Sequence, residues 1–322
     1  MGNHEMLEIV PAPQDYISDV VLLADRSLIV VTSWDGSMTL YEYDVGRITL
    51  KERLTHRFAL TSCCYVESLH KLYVGTVQGE ILEADLDSKR FCPVANNKAE
   101  LGISSICRYR KSIIFGSWDG LLQVIDCSTN LITTQQSLPK GSKVLSMDAN
   151  DSKLIVATTG NKTICFELPL NGSNGFEVES GLKYQARRVK LTPEGDGYVS
   201  SSLDGRVAVE YFNDSARKFA FRCHRMNLVD INFVFPVNAL GFVPNKPLLY
   251  TGGSDGNVSC WNIVSRKKIE QLPKFNENGV VQLACSDKIL VVATSDDSFK
   301  TNAVINEDLT QLQPSRLYIL YL

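Results

Sequence analysis

A short turn motif recurs along this chain at nearly regular intervals. Each copy lies between two β-rich runs, and the most complete copies are the two Ser-Trp-Asp-Gly segments Ser33–Gly36 and Ser117–Gly120. The last turn positions of the seven copies are Gly36, Gly79, Gly120, Asn161, Gly205, Gly256 and Ser298. Successive copies are 41 to 51 residues apart. This spacing indicates a repeat fold in which each unit is one small structural element stacked on the next.

The chemistry of the motif fits a β-hairpin. Gly tolerates a positive φ and Asp bonds to its own backbone, so Asp-Gly favours a tight turn. The runs before the turns are rich in β-branched residues, and those after the turns alternate as half-buried strands do. A period of roughly 40–45 residues is that of WD repeats, each a four-stranded propeller blade, although the Trp-Asp and Gly-His markers are eroded here. We therefore predict an all-β, seven-bladed WD-repeat β-propeller that forms a single domain over residues 1–322.

The two ends of the chain predict how the ring closes. In the last repeat, only the strand at 316–322 follows the polar stretch 298–314, which leaves blade seven one strand short. Residues 7–10 precede the first strand of blade one, 17–23, and belong to no blade. Pairing of 7–10 with 316–322 would complete blade seven and remove an exposed sheet edge. We expect the N-terminal strand to close the ring.

Charge and cysteine content exclude several classes of protein. The net charge of −3 gives no global attraction to nucleic acid or acidic membranes, and no apolar run reaches the roughly 18 residues needed to span a bilayer. The nine cysteines are odd in number and contain no Cys-x-x-Cys spacing, which argues against a disulfide framework or a zinc site. We expect buried, reduced thiols in a soluble intracellular protein with no metal and no cofactor.

An enzyme would need a catalytic constellation, and few candidates occur. The chain has four histidines and lacks the common nucleophile, zinc-protease, phosphate-loop and dinucleotide motifs. Turn formation accounts for the carboxylates at the repeat turns. We predict a protein that is not an enzyme.

Basic residues are concentrated in one repeat. Between residues 183 and 225 there are nine Lys and Arg and five Asp and Glu, so this segment carries +4 within a chain of −3. A basic blade on an acidic ring favours an acidic or phosphorylated partner. The alternative is an ordinary solvated face.

Five side chains are predicted to share one face of the propeller. Because strands alternate in direction, the start of the first strand, the turn between the second and third strands, and the end of the fourth strand lie on the same side of a blade. These positions are occupied by Trp34, Trp118, Arg187, Arg206 and Arg222. Exposed indoles in turns are typical of an interface; the alternative is that the two tryptophans pack between neighbouring blades.

The sequence around these residues resembles that of a known family. The chain resembles the Bub-type spindle-checkpoint WD-repeat family, in a fungal version, and the likeness covers nearly its whole length. The segments that carry it are the two SWDG turns, VGTVQGEIL at 74–82, SGLKYQARRV at 180–189, SSLDGRVAVEYF at 201–212, FAFRCHR at 219–225, GGSDGNVSCWN at 252–262 and ATSDDSFKTNA at 293–303.

The resemblance implies a non-catalytic adaptor in the nucleus and at the kinetochore. Members bind the GLEBS motif, a short acidic segment of the checkpoint kinase and its pseudokinase-like relative, and phosphorylated MELT repeats of the kinetochore scaffold. It implies a monomeric propeller within hetero-complexes, with no direct contact to nucleic acid or membrane.

The resemblance also implies roles for the five face residues. Trp34, Trp118, Arg187 and Arg222 match positions that bind GLEBS, while Arg206, together with Arg187 and Arg222, matches positions that meet the phosphothreonine. How the three arginines divide the two ligands stays open. The alternative is the related mRNA-export propeller, which binds a nuclear-pore GLEBS motif.

Overall fold

The computed structural model describes residues 5–172, 175–178, 180–298 and 313–322. Within these residues, the strands form seven four-stranded antiparallel sheets and one separate two-stranded hairpin. The seven sheets are the blades of a β-propeller, so the fold predicted from the repeat is confirmed. Most of the polar stretch predicted between residues 298 and 314 lies outside the described residues.

The strands follow the order expected for consecutive blades. The strand order begins with β1 (Met6–Ile9), and blade one consists of β2 (Ile17–Leu23), β3 (Leu28–Ser33), β4 (Ser37–Asp44) and β5 (Arg47–Thr55). Blade two consists of β6 (Leu60–Val66), β7 (Lys71–Thr76), β8 (Ile81–Asp85) and β9 (Arg90–Pro93), and blade three of β10 (Ile103–Tyr109), β11 (Ser112–Ser117), β12 (Leu121–Asp126) and β13 (Leu131–Ser137). Blade four consists of β14 (Val144–Ala149), β15 (Lys153–Thr158), β16 (Lys162–Glu167) and β17 (Phe176–Val178).

The remaining strands build blades five to seven and the extra hairpin. They are β18 (Ala186–Leu191), β19 (Gly197–Ser202), β20 (Arg206–Tyr211) and β21 (Phe219–Arg222) in blade five; β22 (Arg225–Asn227) and β23 (Asn232–Val234) in the hairpin; β24 (Val237–Phe242), β25 (Leu248–Gly253), β26 (Val258–Asn262) and β27 (Lys267–Gln271) in blade six; and β28 (Gly279–Cys285), β29 (Ile289–Ser295) and β30 (Arg316–Tyr321) in blade seven, which β1 completes. Three single-turn 3₁₀ helices cover Ala24–Arg26, Glu67–Leu69 and Ser215–Arg217.

The hydrophobic core is divided into clusters that lie between neighbouring blades. Seven such clusters occur, one for each of the seven junctions. Val30 of blade one and Val74 of blade two share the first, and both are fully buried. Burying an aliphatic side chain of this size contributes about 1.5–3 kcal/mol. Each sheet therefore obtains its core from its neighbours, and the stability of one blade depends on the next.

Every innermost strand carries a β-bulge near its start, at the second residue in six blades and at the third in blade seven. The pairing of the first and second strands of each blade skips one residue at this point. The skipped residues are Ser18, Thr61, Ser104, Leu145, Arg187, Asn238 and Val281. A bulge leaves its extra residue outside the ladder and redirects its side chain.

The residue after the bulge often bonds to the next blade. Ser105 Oγ accepts a hydrogen bond from the Met147 amide at 3.1 Å, and Ser146 Oγ accepts one from the Val189 amide at 3.2 Å. These buried contacts satisfy inner-strand amides that face the neighbouring blade. They fix the height of one blade relative to the next.

Ring closure occurs as the sequence predicts. Strand β1 pairs antiparallel with β30, and Leu7 lies opposite Ile319. Ile9, Ile17 and Ile319 are fully buried in the cluster that joins blade seven to blade one. The predicted segment 7–10 is thus displaced by one residue, to Met6–Ile9.

The long interval between the fifth and sixth turns has a structural cause. Strands β22 and β23 form a hairpin between blades five and six, with Val229 and Asp230 at its tip. His224, just before this hairpin, is buried in blade six. Its Nδ1 lies 2.8 Å from Asp255 Oδ1 and its Nε2 2.9 Å from Thr251 Oγ1, which also accepts the Trp261 indole N–H at 3.1 Å.

Two expectations from composition can be compared with the structure. All nine cysteines are free, seven of them buried and the other two half-buried, as expected for reduced thiols. Burial raises the pKa of the Cys64 thiol to about 12. In the part of the chain that the structure describes, no helix is long and apolar enough to cross a membrane.

Removal of the closing strand should destabilise the whole ring. Deletion of residues 1–10 exposes the edge of β30 and removes Ile9 from its cluster, and Ile9→Ala alone should cost about 2–5 kcal/mol. Both variants should melt at lower temperature, as measured by circular dichroism. Glu8→Ala, which removes only an exposed ion pair to Arg316, is the control. An unchanged melting temperature for the deletion would contradict closure by β1.

The network around His224 predicts a dependence of stability on pH. Burial by itself would raise the pKa of Asp255, but the hydrogen bonds and charge of His224 and the hydrogen bonds of Asn257 outweigh it, and the pKa is lowered. The stabilisation is therefore complete above the unfolded-state pKa of about 3.9 and is lost as the pH falls through the lower folded-state pKa.

Asp255→Asn should therefore lower the free energy of unfolding at pH 7 by about 1.5–3 kcal/mol. Its melting temperature should lie below that of the native protein. The difference should shrink below about pH 4. Thermal melts between pH 7 and pH 3 measure it, with exposed Asp230→Asn as the matched control. A difference that stays constant down to pH 3 would show that the Asp255 charge does not contribute.

Candidate peptide-binding face

One end of the central channel opens into a cavity of about 400 Å³. All seven bulge residues line it, because each bulge turns one side chain of an innermost strand towards the channel mouth. Other residues of the wall include Tyr16 and the turn residues Trp34, Trp118 and Leu203. We call this cavity the channel mouth. It combines apolar walls with a few polar groups, as ligand sites usually do.

The two predicted tryptophans both lie at the channel mouth. The Trp34 amide donates to the Tyr16 carbonyl at 3.0 Å and the Trp118 amide to the Gly102 carbonyl at 2.9 Å, so both turns are held in the same way. Trp34 is 43% exposed. Trp118 is half-buried against Gly102, where an added Cβ would lie 2.5 Å from the indole ring. Trp118 thus combines exposure at the face with packing on the link between blades two and three.

Arg187 is the bulge residue of blade five and lies in the wall of the channel mouth. Its Nη2 donates to Asn238 Oδ1 at 2.7 Å. Burial lowers the pKa of the guanidinium from its usual value, and the neighbouring Arg188 acts in the same direction. The side chain is a partly desolvated cation, and interactions with a desolvated charge are stronger than those with a solvated one.

Arg206 and Arg222 form a second group beside the channel mouth. They lie directly opposite each other on β20 and β21. Arg206 Nε is 3.0 Å from Asp204 Oδ2, and its side chain is still 36% exposed. Arg222 is exposed. Like charges on directly opposite residues destabilise a strand pair, so an anion placed between them would be stabilising.

A third arginine joins this pair. Arg225, the first residue of the hairpin, donates from Nη2 to the Asp204 carbonyl at 2.9 Å. Arg206, Arg222 and Arg225 thus surround one turn that offers a single carboxylate, and we call them the arginine cluster. Arg225 was counted among the basic residues of the segment but was not predicted as a site residue. Its position three residues after Arg222, across the end of β21, is the signal that could have found it.

Three of the six other cations of the basic segment are paired locally. Lys190 lies 3.3 Å from Asp148, Arg217 3.0 Å from Asp196 and Lys218 3.7 Å from Glu210. The positive charge of this repeat is therefore carried chiefly by the arginine cluster, by Arg187 and Arg188 at the channel mouth, and by Lys183.

The five predicted face residues therefore form two neighbouring groups at one end of the propeller. Trp34, Trp118 and Arg187 line the channel mouth, while Arg206 and Arg222 belong to the arginine cluster. Leu203 lines the mouth from the turn that leads into Arg206, which connects the two groups. Among the residues described, no group of three or more His, Cys, Asp or Glu side chains could hold a metal ion.

Comparison with known proteins identifies the family. The model of the WD domain, G-beta repeat, matches residues 232–262, which contain β23 of the hairpin and the first three strands of blade six, with Thr251, Asp255 and Trp261 of the network around His224. Over 303 residues the chain is 30% identical to a protein of Arabidopsis thaliana named mitotic checkpoint protein BUB3.1, covering 89% of this chain and 86% of the relative. The chain belongs to the Bub3 family.

Two further comparisons show how widely the fold is shared beyond Bub3 proteins. A Schizosaccharomyces pombe protein named poly(A)+ RNA export protein is 28% identical over 287 residues, which cover 87% of this chain and 80% of that protein. The solved structure of U3-55K superimposes with a TM-score of 0.81 over 98% of both chains at 16% identity, and this likeness concerns the fold alone.

Both tryptophans are predicted to bind peptide, but their replacement should affect folding differently. Trp34→Ala and Trp118→Ala should each weaken an acidic GLEBS peptide by about 2 kcal/mol or more. Trp34→Ala should leave the melting temperature nearly unchanged, whereas Trp118→Ala should lower it because Gly102 loses its cover. Calorimetric titration and thermal melts measure both effects.

Val45→Ala, at an exposed turn at the opposite end of the blade-one strands, is the control for general surface effects. Peptide affinity that is unchanged in a folded Trp34→Ala variant would show that this indole is not part of the binding face.

Proposed function

We propose that this protein is a non-catalytic adaptor of the spindle assembly checkpoint. Its relatives carry mitotic checkpoint names, and its fold supplies a face suited to peptides. In this proposal the single propeller, residues 1–322, acts as a monomer within hetero-complexes in the nucleus and at unattached kinetochores. It recruits partners by binding short motifs and carries out no reaction of its own.

The proposed ligand of the channel mouth is a GLEBS motif of the checkpoint kinase or its pseudokinase-like relative. Trp34 and Trp118 offer large amphipathic surfaces, and Arg187 supplies a partly buried cation for a peptide glutamate. Aromatic residues and arginine dominate the binding energy at many protein interfaces. Arg222, on the outermost strand of the same blade as Arg187, extends this basic surface outward.

The proposed ligand of the arginine cluster is the phosphothreonine of a MELT repeat in the kinetochore scaffold. This assignment rests on one observation above all: Arg206 and Arg222 lie directly opposite each other, and Arg206 is paired with the carboxylate of Asp204 in the preceding turn. A phosphothreonine carries about −1.5 to −2 charges and three strong acceptor oxygens, which suit planar guanidinium groups. We assign the phosphate chiefly to Arg206, with Arg222 and Arg187 nearby.

The competing function is that of an mRNA-export propeller that binds a nuclear-pore GLEBS motif. The similarity to a poly(A)+ RNA export protein supports this alternative. Both functions use an acidic peptide at the channel mouth, so GLEBS binding alone does not separate them. Phosphate-dependent binding of MELT peptides favours the checkpoint role, and tight RNA binding without phosphate dependence would contradict it.

Arg206 provides the sharpest test. Charge-assisted bonds to phosphate contribute roughly 1.5–3 kcal/mol, or about 10- to 150-fold in affinity. Arg206→Ala should weaken a phosphorylated MELT peptide by this factor and leave the unphosphorylated peptide nearly unchanged. Arg206→Lys should restore only part of the loss, because a point charge cannot reproduce the bidentate fork. Higher salt should reduce the phosphate-dependent difference.

Titration with paired phosphorylated and unphosphorylated peptides, with and without GLEBS peptide, measures these effects. Arg217→Ala is the matched control, since Arg217 lies in the same blade and is already paired with Asp196. Equal losses for both MELT peptides in Arg206→Ala would mean that Arg206 supports the face generally and does not recognise phosphate.

A further inference from the structure

Asn238 is the most highly connected polar side chain at the channel mouth. As the bulge residue of blade six, its Oδ1 accepts the Arg187 Nη2 hydrogen bond at 2.7 Å. Its Nδ2 lies within hydrogen-bond distance of Ser254 Oγ at 2.9 Å, Asp297 Oδ2 at 3.1 Å and the Val280 carbonyl at 3.2 Å. The carboxamide accepts from Arg187 through its oxygen on one side and donates its N–H groups towards these acceptors on the other.

Asp297 fixes the orientation of this amide. Asp297 is only 7% exposed, and its Oδ2 accepts from both Ser254 Oγ, at 2.6 Å, and Asn238 Nδ2. A Cβ added to Gly279 would lie 2.7 Å from Asp297 Oδ1, so the glycine provides the space that the carboxylate occupies. A carboxylate acceptor next to Nδ2 makes the opposite amide orientation unfavourable, because Asn Oδ1 would then face Asp297.

The contacts run in series from blade seven to blade five. Asp297 lies after the second strand of blade seven, Asn238 on the innermost strand of blade six, and Arg187 on that of blade five. Asp297 also influences the pKa of both Arg187 and Tyr16 through its charge. Among the described residues Asp297 has no direct ion pair, and a buried carboxylate that is hydrogen-bonded but not ion-paired is costly. Its presence here therefore points to a task other than stability.

We propose that Asn238, held by Asp297, is a positioning residue that fixes the Arg187 guanidinium for a single carboxylate of a bound peptide. The inference rests on the proposed function, because it concerns the same peptide face. An arginine has five N–H donors, and Asn238 anchors one nitrogen so that the side chain is ordered before the peptide arrives. A ligand that meets an ordered side chain loses less conformational entropy on binding. The consequence is selectivity for glutamate over glutamine at one peptide position.

The test compares two GLEBS peptides that differ by one glutamate-to-glutamine change at the position that contacts Arg187. That position is identified beforehand as the one at which the change no longer matters in Arg187→Ala. The native protein should prefer the glutamate peptide by about tenfold or more, since a bond between charged groups contributes roughly 1.5–3 kcal/mol. Asn238→Ala should remove most of this preference, because it should lower the affinity for the glutamate peptide much more than the affinity for the glutamine peptide.

Asp297 offers a second pair of variants. Asp297→Ala should lose the preference as Asn238→Ala does, whereas Asp297→Asn keeps an acceptor oxygen for the Asn238 amide and should retain most of it. Asn213→Ala is the matched control, because Asn213 is exposed after β20 in blade five and does not line the channel mouth. Equal weakening of both peptides in Asn238→Ala, or an Asp297→Asn variant as defective as Asp297→Ala, would overturn the positioning role.

A measurement without peptide separates this inference from the proposed function. In nitrogen-15 NMR of the free protein, rotation about the Arg187 Cζ–Nη2 bond should be slow, and Arg187→Lys identifies the signal. Asn238→Ala should make the rotation fast, and Asn213→Ala should not change it. If neither peptide binds the native protein, the proposed function fails while this result still decides the positioning. Unchanged rotation in Asn238→Ala would contradict it.

Discussion

Closure of the ring is the constraint on which the other features of this propeller depend. Each blade buries its two faces only against its neighbours, and the seven clusters of the core are the seven junctions themselves. An open ring would leave two sheet faces and a row of unpaired backbone groups in water. The pairing of β1 with β30 removes this cost and holds blades one and seven at a fixed distance. The channel mouth, lined by residues from all seven blades, exists only while this pairing holds.

Much of the architecture could be predicted because its determinants are local. An Asp-Gly turn such as Asp204-Gly205 specifies a hairpin through the properties of two adjacent residues. Counting strands after the last turn was enough to assign β1 to blade seven. His224 was harder to assign, because the β22–β23 hairpin separates it from the blade whose core it enters. Contacts of this kind depend on packing between blades and leave no fixed spacing in the sequence.

The binding face could be predicted in part. Trp34 and Trp118 stand out because indoles are unusual in short turns, and Arg206 because it follows such a turn. The seven bulges could not be foreseen, since their residues include hydroxyl, amide, guanidinium and aliphatic side chains with no common chemistry. Their shared feature is a backbone irregularity imposed by the packing of seven inner strands around one channel. Asn238 therefore gave no sign of its connection to Arg187, which lies 51 residues earlier.

Residues of one innermost strand differ in how freely they can be substituted, depending on whether they lie in the ladder or at the bulge. Residues in the ladder pack between blades, and changes there disturb the fold. A bulge residue lies outside the ladder, so its side chain can change with less effect on the pairing around it. Seven such positions, one from each repeat, surround a single opening. Gene duplication followed by substitution at these positions can therefore produce propellers with the same scaffold and different ligands, because new specificity does not require a new core.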